Sequence, residues 1–273
     1  MLSRIVSTAP VFLLVAARCF ALILTMPLLS NSMISRRAKV ALAAYLAYFI
    51  LPQVSLNEGM YAAYSSFITA TGSFNLDYAF LLAGEVLIGI IMGFFVTVIF
   101  GAFSTAGQFF AFQMGFSAAE AYDSLSQVEN PLMGEYFNFV AMLVFLQNHW
   151  FQEIFLGALK TSFQSLNAFS IVTHLDSLFT FMLSSLTSLF ANALILALPI
   201  MGSLFLINAT MGILSKAAPQ MNLLSDGFPI LMLTGFFIIT ALMPYLCNFF
   251  TDCFVSGYRS LEQLFIRLGG GGI

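Results

Sequence analysis

The sequence predicts an all-α integral membrane protein built from about six hydrophobic helical segments, several of them bent or broken. Three observations carry that prediction. Hydrophobic residues make up 60% of the 273-residue chain and charged residues 8%, against roughly 25% charged in an ordinary soluble domain, so the charges are too few to cover a water-facing surface. The mean hydropathy is +0.96, and a soluble core cannot hide 32 phenylalanines. Turn-forming residues cut the chain into apolar blocks at 5–29, 38–51, 76–116, 136–159, 178–211 and 228–255.

The same composition excludes several function classes. A net charge of −3 with no dense Lys/Arg cluster argues against a nucleic-acid partner. Cys19, Cys247 and Cys253 are odd in number and lack ligand spacing, so they read as inert buried thiols, not as a disulfide framework or zinc site. The zincin, P-loop, nucleophile-elbow and dinucleotide motifs are absent, and the expectation is no catalytic residues, no metal and no cofactor.

Block 5–29 begins like a signal peptide, but Arg18 interrupts it and only "TMPLLSNSM" follows where a small-residue cleavage site would stand. It reads as a retained first helix. Arg36, Arg37 and Lys39 then mark the first connection as cytoplasmic. Block 38–51 is shorter than the roughly 20 residues that cross a ~30 Å hydrocarbon core. Block 76–116, as one helix at about 1.5 Å per residue, would extend roughly 60 Å, with no proline between Pro52 and Pro131 to end it. It either bends at its glycines or leaves the bilayer to pack on protein. Gly84, Gly89 and Gly93, in "GEVLIGIIMG", are spaced to let another helix backbone approach closely.

Alternating six crossings from the first connection places Lys216 inside but Arg259 and Arg267 outside, against the positive-inside rule. Either the crossings are miscounted or the helices end in a protein assembly. Arg18 and Glu85 lie deep in apolar blocks, where a charge is costly and faces protein or water. They read as a buried contact, with each other or with a neighbouring subunit. The alternative, a proton or ion relay, is poorly served by one carboxylate without a second titratable partner. His149 and His174 stand apart and form no site. "GGGG" at 269–272 reads as the start of a flexible tail, native or engineered, after a single membrane domain at 1–268.

Two polar interruptions remain. The stretch "SKAAPQMNLLSDGFP" separates the last two blocks and contains Lys216, Pro219, Gln220, Met221, Asn222, Gly227 and Pro229. The prolines stop the flanking helices and Gly227 permits a turn. The connection 114–135 mixes Met114, Gly115, Phe116, Leu125 and Met133 with four carboxylates, Asp123 among them, and has no Lys or Arg. Flexible Met and Phe side chains can fill an irregular hole and yield under load.

Taken in order, these segments resemble the FliR family of flagellar export-apparatus proteins and its type III secretion counterparts over nearly the whole chain. Arg18, Met26-Pro27 and Ser35-Arg36-Arg37 with Lys39 resemble the family's helix arginine, proline turn and basic loop. "GEVLIGIIMGFF" with "STAGQFFAFQMGFS" is similar to its Gly-Glu helix and Gln-Met-Gly segment. Phe145, Asn148, His149, Ser162 and Phe163 fall at matching places, and Pro219-Gln220-Met221-Asn222 with Gly227-Phe228-Pro229 is the most specific element. The chain departs in having Asp123-Ser124 for Asp-Pro and in lacking a glycine before His149.

The resemblance implies a place in a helical hetero-oligomeric export gate at the flagellar basal body, in the bacterial inner membrane. Unfolded flagellar subunits would pass through it. The implied partners are FliP-like and FliQ-like subunits, FlhB-like and FlhA-like proteins, export substrates and membrane lipid. It also implies a FliQ-like C-terminal hairpin at 178–255 with its tip at the cytoplasmic mouth, and a plug formed by 114–135. An injectisome component is the nearest alternative. A small-solute secondary transporter is more distant, since it should show two related halves and none is found.

Overall fold

The computed structural model describes residues 2–30, 34–54, 59–68, 75–116, 132–218 and 227–269, and every regular element among them is helical. Block 5–29 is two helices, because Pro27 lacks an N–H and suits the first turn of a new helix. Helix α1 spans Leu2–Thr25 and α2 spans Pro27–Ser30, with Met26 between them. The ammonium of Lys39 donates to the Ser30 carbonyl at 3.0 Å, closing the end of α2. Ser35 then caps α3 (Arg36–Ile50), its hydroxyl accepting from the Ala38 N–H at 3.3 Å, as an N-cap serine should.

Short 3-10 turns at Leu51–Gln53 and Met60–Tyr64 follow. Helix α4 (Leu76–Gln113) runs 38 residues. Block 136–159 is also divided. Helix α5 (Leu132–Gln147) ends before His149, whose φ of 57° is the left-handed conformation that breaks a helix. Helix α6 (Trp150–Gln152) passes through a π-turn at Glu153–Ala158 into α7 (Leu159–Ser165). Helix α8 (Ala168–Thr173) is opened by a capping box between Asn167 and Ser170.

The last two helices are longer than the sequence blocks: α9 spans Leu175–Ala217 and α10 spans Phe228–Leu268. The apolar block ends at Val255, and beyond it stand Arg259, Glu262 and Arg267. They are exposed on a continuing helix whose Leu261, Leu264, Phe265 and Leu268 are buried at helical spacing. Gly269, assigned above to the tail, closes this helix: its N–H donates to the Phe265 carbonyl at 2.8 Å, and a Cβ there would meet the Ser165 carbonyl at 2.8 Å. Among the described residues three helices, α4, α9 and α10, are long and apolar enough to cross a membrane.

The chain forms two compact units. The first takes Met1–Val98, His149–Ser185 and Ser256–Ile273, and the second takes Ile99–Asn148 and Leu186–Val255. In the first, α1 packs on α3, and Tyr78 of α4 donates to the Pro10 carbonyl of α1 at 2.8 Å. The second has an aromatic core. Phe250 meets Phe103 edge-to-face at 4.7 Å and Phe100 at 5.5 Å, while Phe145 packs on Phe100 and Phe254 at 5.6 and 5.3 Å. Edge-to-face rings at these separations add to the stabilisation from burial alone.

Candidate functional site

The first unit is organised around a buried ion pair. Arg18 Nε donates to Glu85 Oε2 at 2.7 Å, and both side chains are 0% exposed. The other Glu85 oxygen accepts from the Tyr64 hydroxyl at 2.7 Å. Arg18 also donates from Nη1 to Ser162 Oγ at 3.1 Å and from Nη2 to the Leu166 carbonyl at 3.2 Å, and its guanidinium lies 4.2 Å from the Phe163 ring centre. Tyr64 in turn accepts from the Ala168 N–H. Burial, and after it the Glu85 carboxylate, push the Tyr64 hydroxyl above its ordinary range, so it remains the proton donor of that bond.

One carboxylate and one guanidinium thereby join α1, the Met60–Tyr64 turn, α4, α7 and the start of α8. Each guanidinium nitrogen and each carboxylate oxygen has a partner, which a buried pair requires if its desolvation is to be offset. The Tyr61 hydroxyl, buried in the same unit, has no hydrogen-bond partner among the described residues. Sequence reasoning missed Tyr61, Tyr64 and Leu166. The two tyrosines lie in a connection that reads as a polar loop, and their i, i+3 spacing in "YAAY" was the available signal.

The three glycines of α4 surround this centre. A Cβ at Gly84 would overlap Ala168, one at Gly89 would overlap the Arg18 carbonyl and Ala21, and one at Gly93 would overlap Thr25. Thr97 one turn on donates to the Thr25 carbonyl at 2.8 Å. The glycine face therefore seats α1 and α8 at backbone distance, holding Arg18 against Glu85.

In the second unit the structure brings together residues that the sequence placed in two separate interruptions. At the end of α4, Gly115 has φ +85°, and a Cβ on it would lie 2.5 Å from the Phe228 ring. Met114 is fully buried and lies against Gly235, where a Cβ would come within 2.8 Å of Met114 Cγ. Phe116 packs edge-on to Phe236 at 6.2 Å. Asn208 of α9 donates to the Gln113 carbonyl at 3.4 Å, and Met211 Cε is 3.5 Å from where a Gly227 Cβ would sit.

Met133 and Gly134 at the start of α5 are buried against α4 beside Gly107. Lys216 is exposed in the last turn of α9 and Pro229 lies in the first turn of α10, positions that suit a cation and a proline respectively. Asp123, Leu125, Pro219, Gln220, Met221 and Asn222 lie outside the described residues. His174 bonds locally, Nδ1 lying 2.9 Å from Thr173 Oγ1. Cys19 is buried, whereas Cys247 and Cys253 are only half-buried, because each sits at the edge of the packed face of α10.

A family model described as bacterial export proteins, family 1, matches residues 9–256. The chain is 29% identical over 260 residues to the flagellar biosynthetic protein FliR of Escherichia coli (strain K12), covering 92% of this chain and 91% of that one. It is 32% identical over 172 residues to the FliR of Borreliella burgdorferi, 63% of this chain and 64% of that one. It is also 28% identical over 189 residues to the surface presentation of antigens protein SpaR of Shigella flexneri, 69% and 72% of the two chains.

Proposed function

From the premise that the chain belongs to the bacterial export proteins of family 1, we propose that it is a core component of the flagellar type III protein export gate. In that role it helps form the channel through which unfolded flagellar subunits cross the inner membrane. The observation that carries this reading is the likeness to a flagellar biosynthetic protein along 91% of that protein's length. The likeness to SpaR favours an injectisome component as second reading, but over a smaller share of both chains.

The helices suit such a place. Helices α9 and α10, with 43 and 41 residues, each extend about 60 Å, whereas a ~30 Å hydrocarbon core is crossed by roughly 20 residues. Their most apolar windows are only 28% and 22% buried within the chain, against 67% for α4. In our reading FliP-like and FliQ-like subunits cover that surface, with FlhB-like and FlhA-like proteins adjoining. The chain passes the inner membrane several times at the flagellar basal body and acts through structure rather than catalysis. The hairpin of α9 and α10 is the FliQ-like part with its tip at the cytoplasmic mouth, and 114–135 plugs the closed channel.

Expression in a strain lacking its own FliR tests the assignment. Restored motility, with recovery of the chain in a high-mass membrane complex with two small hydrophobic subunits, is the expected result. A self-sufficient monomer or dimer that restores nothing would overturn it. Restored effector secretion without motility would favour the injectisome. Deleting 117–130 is expected to raise ion leakage through the assembled complex, and membranes as tight as the parent's would place the seal elsewhere.

A further inference from the structure

Helix α3 has two unlike sides. Ala43, Ala47 and Ile50 are buried on one of them, and α3 packs on α1. On the other side Arg37, Ala41, Tyr45 and Tyr48 recur at i, i+4, i+8 and i+11, which is one helical stripe, and all four are exposed. Phe49 flanks the stripe, edge-on to Tyr45 at 4.7 Å and to Tyr48 at 6.2 Å. A cationic end, Arg36 and Arg37, thus leads past small alanine side chains to three exposed rings. At about 1.5 Å per residue the rings begin roughly 12 Å further along.

The cationic end works against the helix that carries it. Cations in a first turn oppose the helix dipole, and the first turn of α3 holds no acidic residue. The Ser30 carbonyl accounts for Lys39, but Arg36 and Arg37 are exposed and make no ion pair with any described residue. The far end is equally open, since the hydroxyls of Tyr45 and Tyr48 bond to no described residue. Its 15 residues make α3 about 22 Å long, short of a ~30 Å hydrocarbon core. A membrane ligand that meets both ends combines an anionic head with an apolar tail. Guanidinium forks match phosphate oxygens, and tyrosine rings settle where lipid meets water. A zwitterionic headgroup would instead bring an ammonium beside the two arginines. We propose that the outer face of α3 is a binding surface for anionic phospholipid. Arg36 and Arg37 hold its phosphate, and Ala41, Tyr45, Tyr48 and Phe49 lie along its acyl chain. This requires the chain to sit in a membrane and does not rest on the export-gate reading.

Quenching by brominated lipid tests it. The full chain carries Ala41→Cys, with Cys247→Ala and Cys253→Ala to silence the half-buried thiols, and is labelled with a fluorophore. It is reconstituted into phosphatidylcholine nanodiscs that contain a small fraction of brominated phosphatidylglycerol or of brominated phosphatidylcholine. Phosphatidylglycerol is expected to quench at an approximately tenfold lower mole fraction, as two cations beside an anionic headgroup should give. Arg36→Gln with Arg37→Gln should bring the two lipids level, whereas Arg36→Lys with Arg37→Lys should keep most of the preference. Arg259→Gln with Arg267→Gln, which removes exposed cations of α10, should keep all of it. Equal quenching by the two lipids overturns the proposal, and so does a preference that survives the loss of Arg36 and Arg37. Absence of quenching by either lipid means that protein covers the face, and this overturns it as well. Because the chain alone is measured, failure of the export-gate reading would leave each of these results readable.

Discussion

The two units are held by opposite means. In the first, one buried ion pair reaches five segments through hydrogen bonds of defined length and direction, and three glycines bring the backbones close enough for it to form. In the second, rings and a methionine fill space, and the bonding at the end of α4 has no buried charge among the described residues. Breaking a directional network leaves an orphaned charge, whereas disturbing an apolar fit loses only contact area and packing. The first kind of core has one arrangement, and the second can rearrange at modest cost.

That difference predicts a ranking of substitutions. Glu85→Leu should be the most severe, because it leaves Arg18 buried and unpaired at a cost of about 3–5 kcal/mol. Loss of the chain from purified complexes would register it. Glu85→Gln keeps the shape and one accepting oxygen for Arg18, while its amide NH2 can only donate, to the Tyr64 oxygen. It should be milder than Glu85→Leu and retain export, and a Gln variant that assembles normally yet exports nothing would revive the proton-relay reading. Gly89→Leu should approach Glu85→Leu in effect, since its side chain would displace the backbone of α1 at Arg18; undiminished complex yield would refute the seating described for that glycine.

Phe250→Ala removes the central ring of the aromatic core and should cost ~3 kcal/mol, visible as a lower Tm in detergent but with a population of folded chain remaining. Tyr64→Phe leaves one Glu85 oxygen and the Ala168 N–H without a partner, a loss of about 1–3 kcal/mol. Equal Tm for Tyr64→Phe and the parent would show that the Tyr61 hydroxyl takes over the bond. His149→Gly is the smallest and has the opposite sign: relieving a left-handed non-glycine residue should raise stability by about 1 kcal/mol.

Much of the molecule was legible from residue patterns, and the misses have identifiable causes. The overlong α4 and the glycine spacing could be read directly, because helical period and side-chain size are local properties. Arg18 and Glu85 stood out because charge in an apolar block is conspicuous. Their surroundings did not: the partners lie 67, 21 and 144 residues apart along the chain, and a tyrosine in a polar connection gives no sign of folding inward. The split at His149 was hidden because the block is apolar on both sides, and the glycine that usually announces a left-handed residue is missing here. The continuation of α10 past Val255 was hidden by charges that decorate one face of an amphipathic helix.

The exposed length of α9 and α10 has a consequence for the amount of this protein a cell can keep. Roughly half of each ~60 Å helix exceeds what a bilayer covers, and apolar side chains such as Phe179, Phe205, Leu233 and Phe237 are exposed along them. Such surface invites aggregation and proteolysis. Under the export-gate proposal that surface is covered only in the assembly, so surplus copies are expected to be degraded, and the level of the chain should fall in cells that lack its proposed partners.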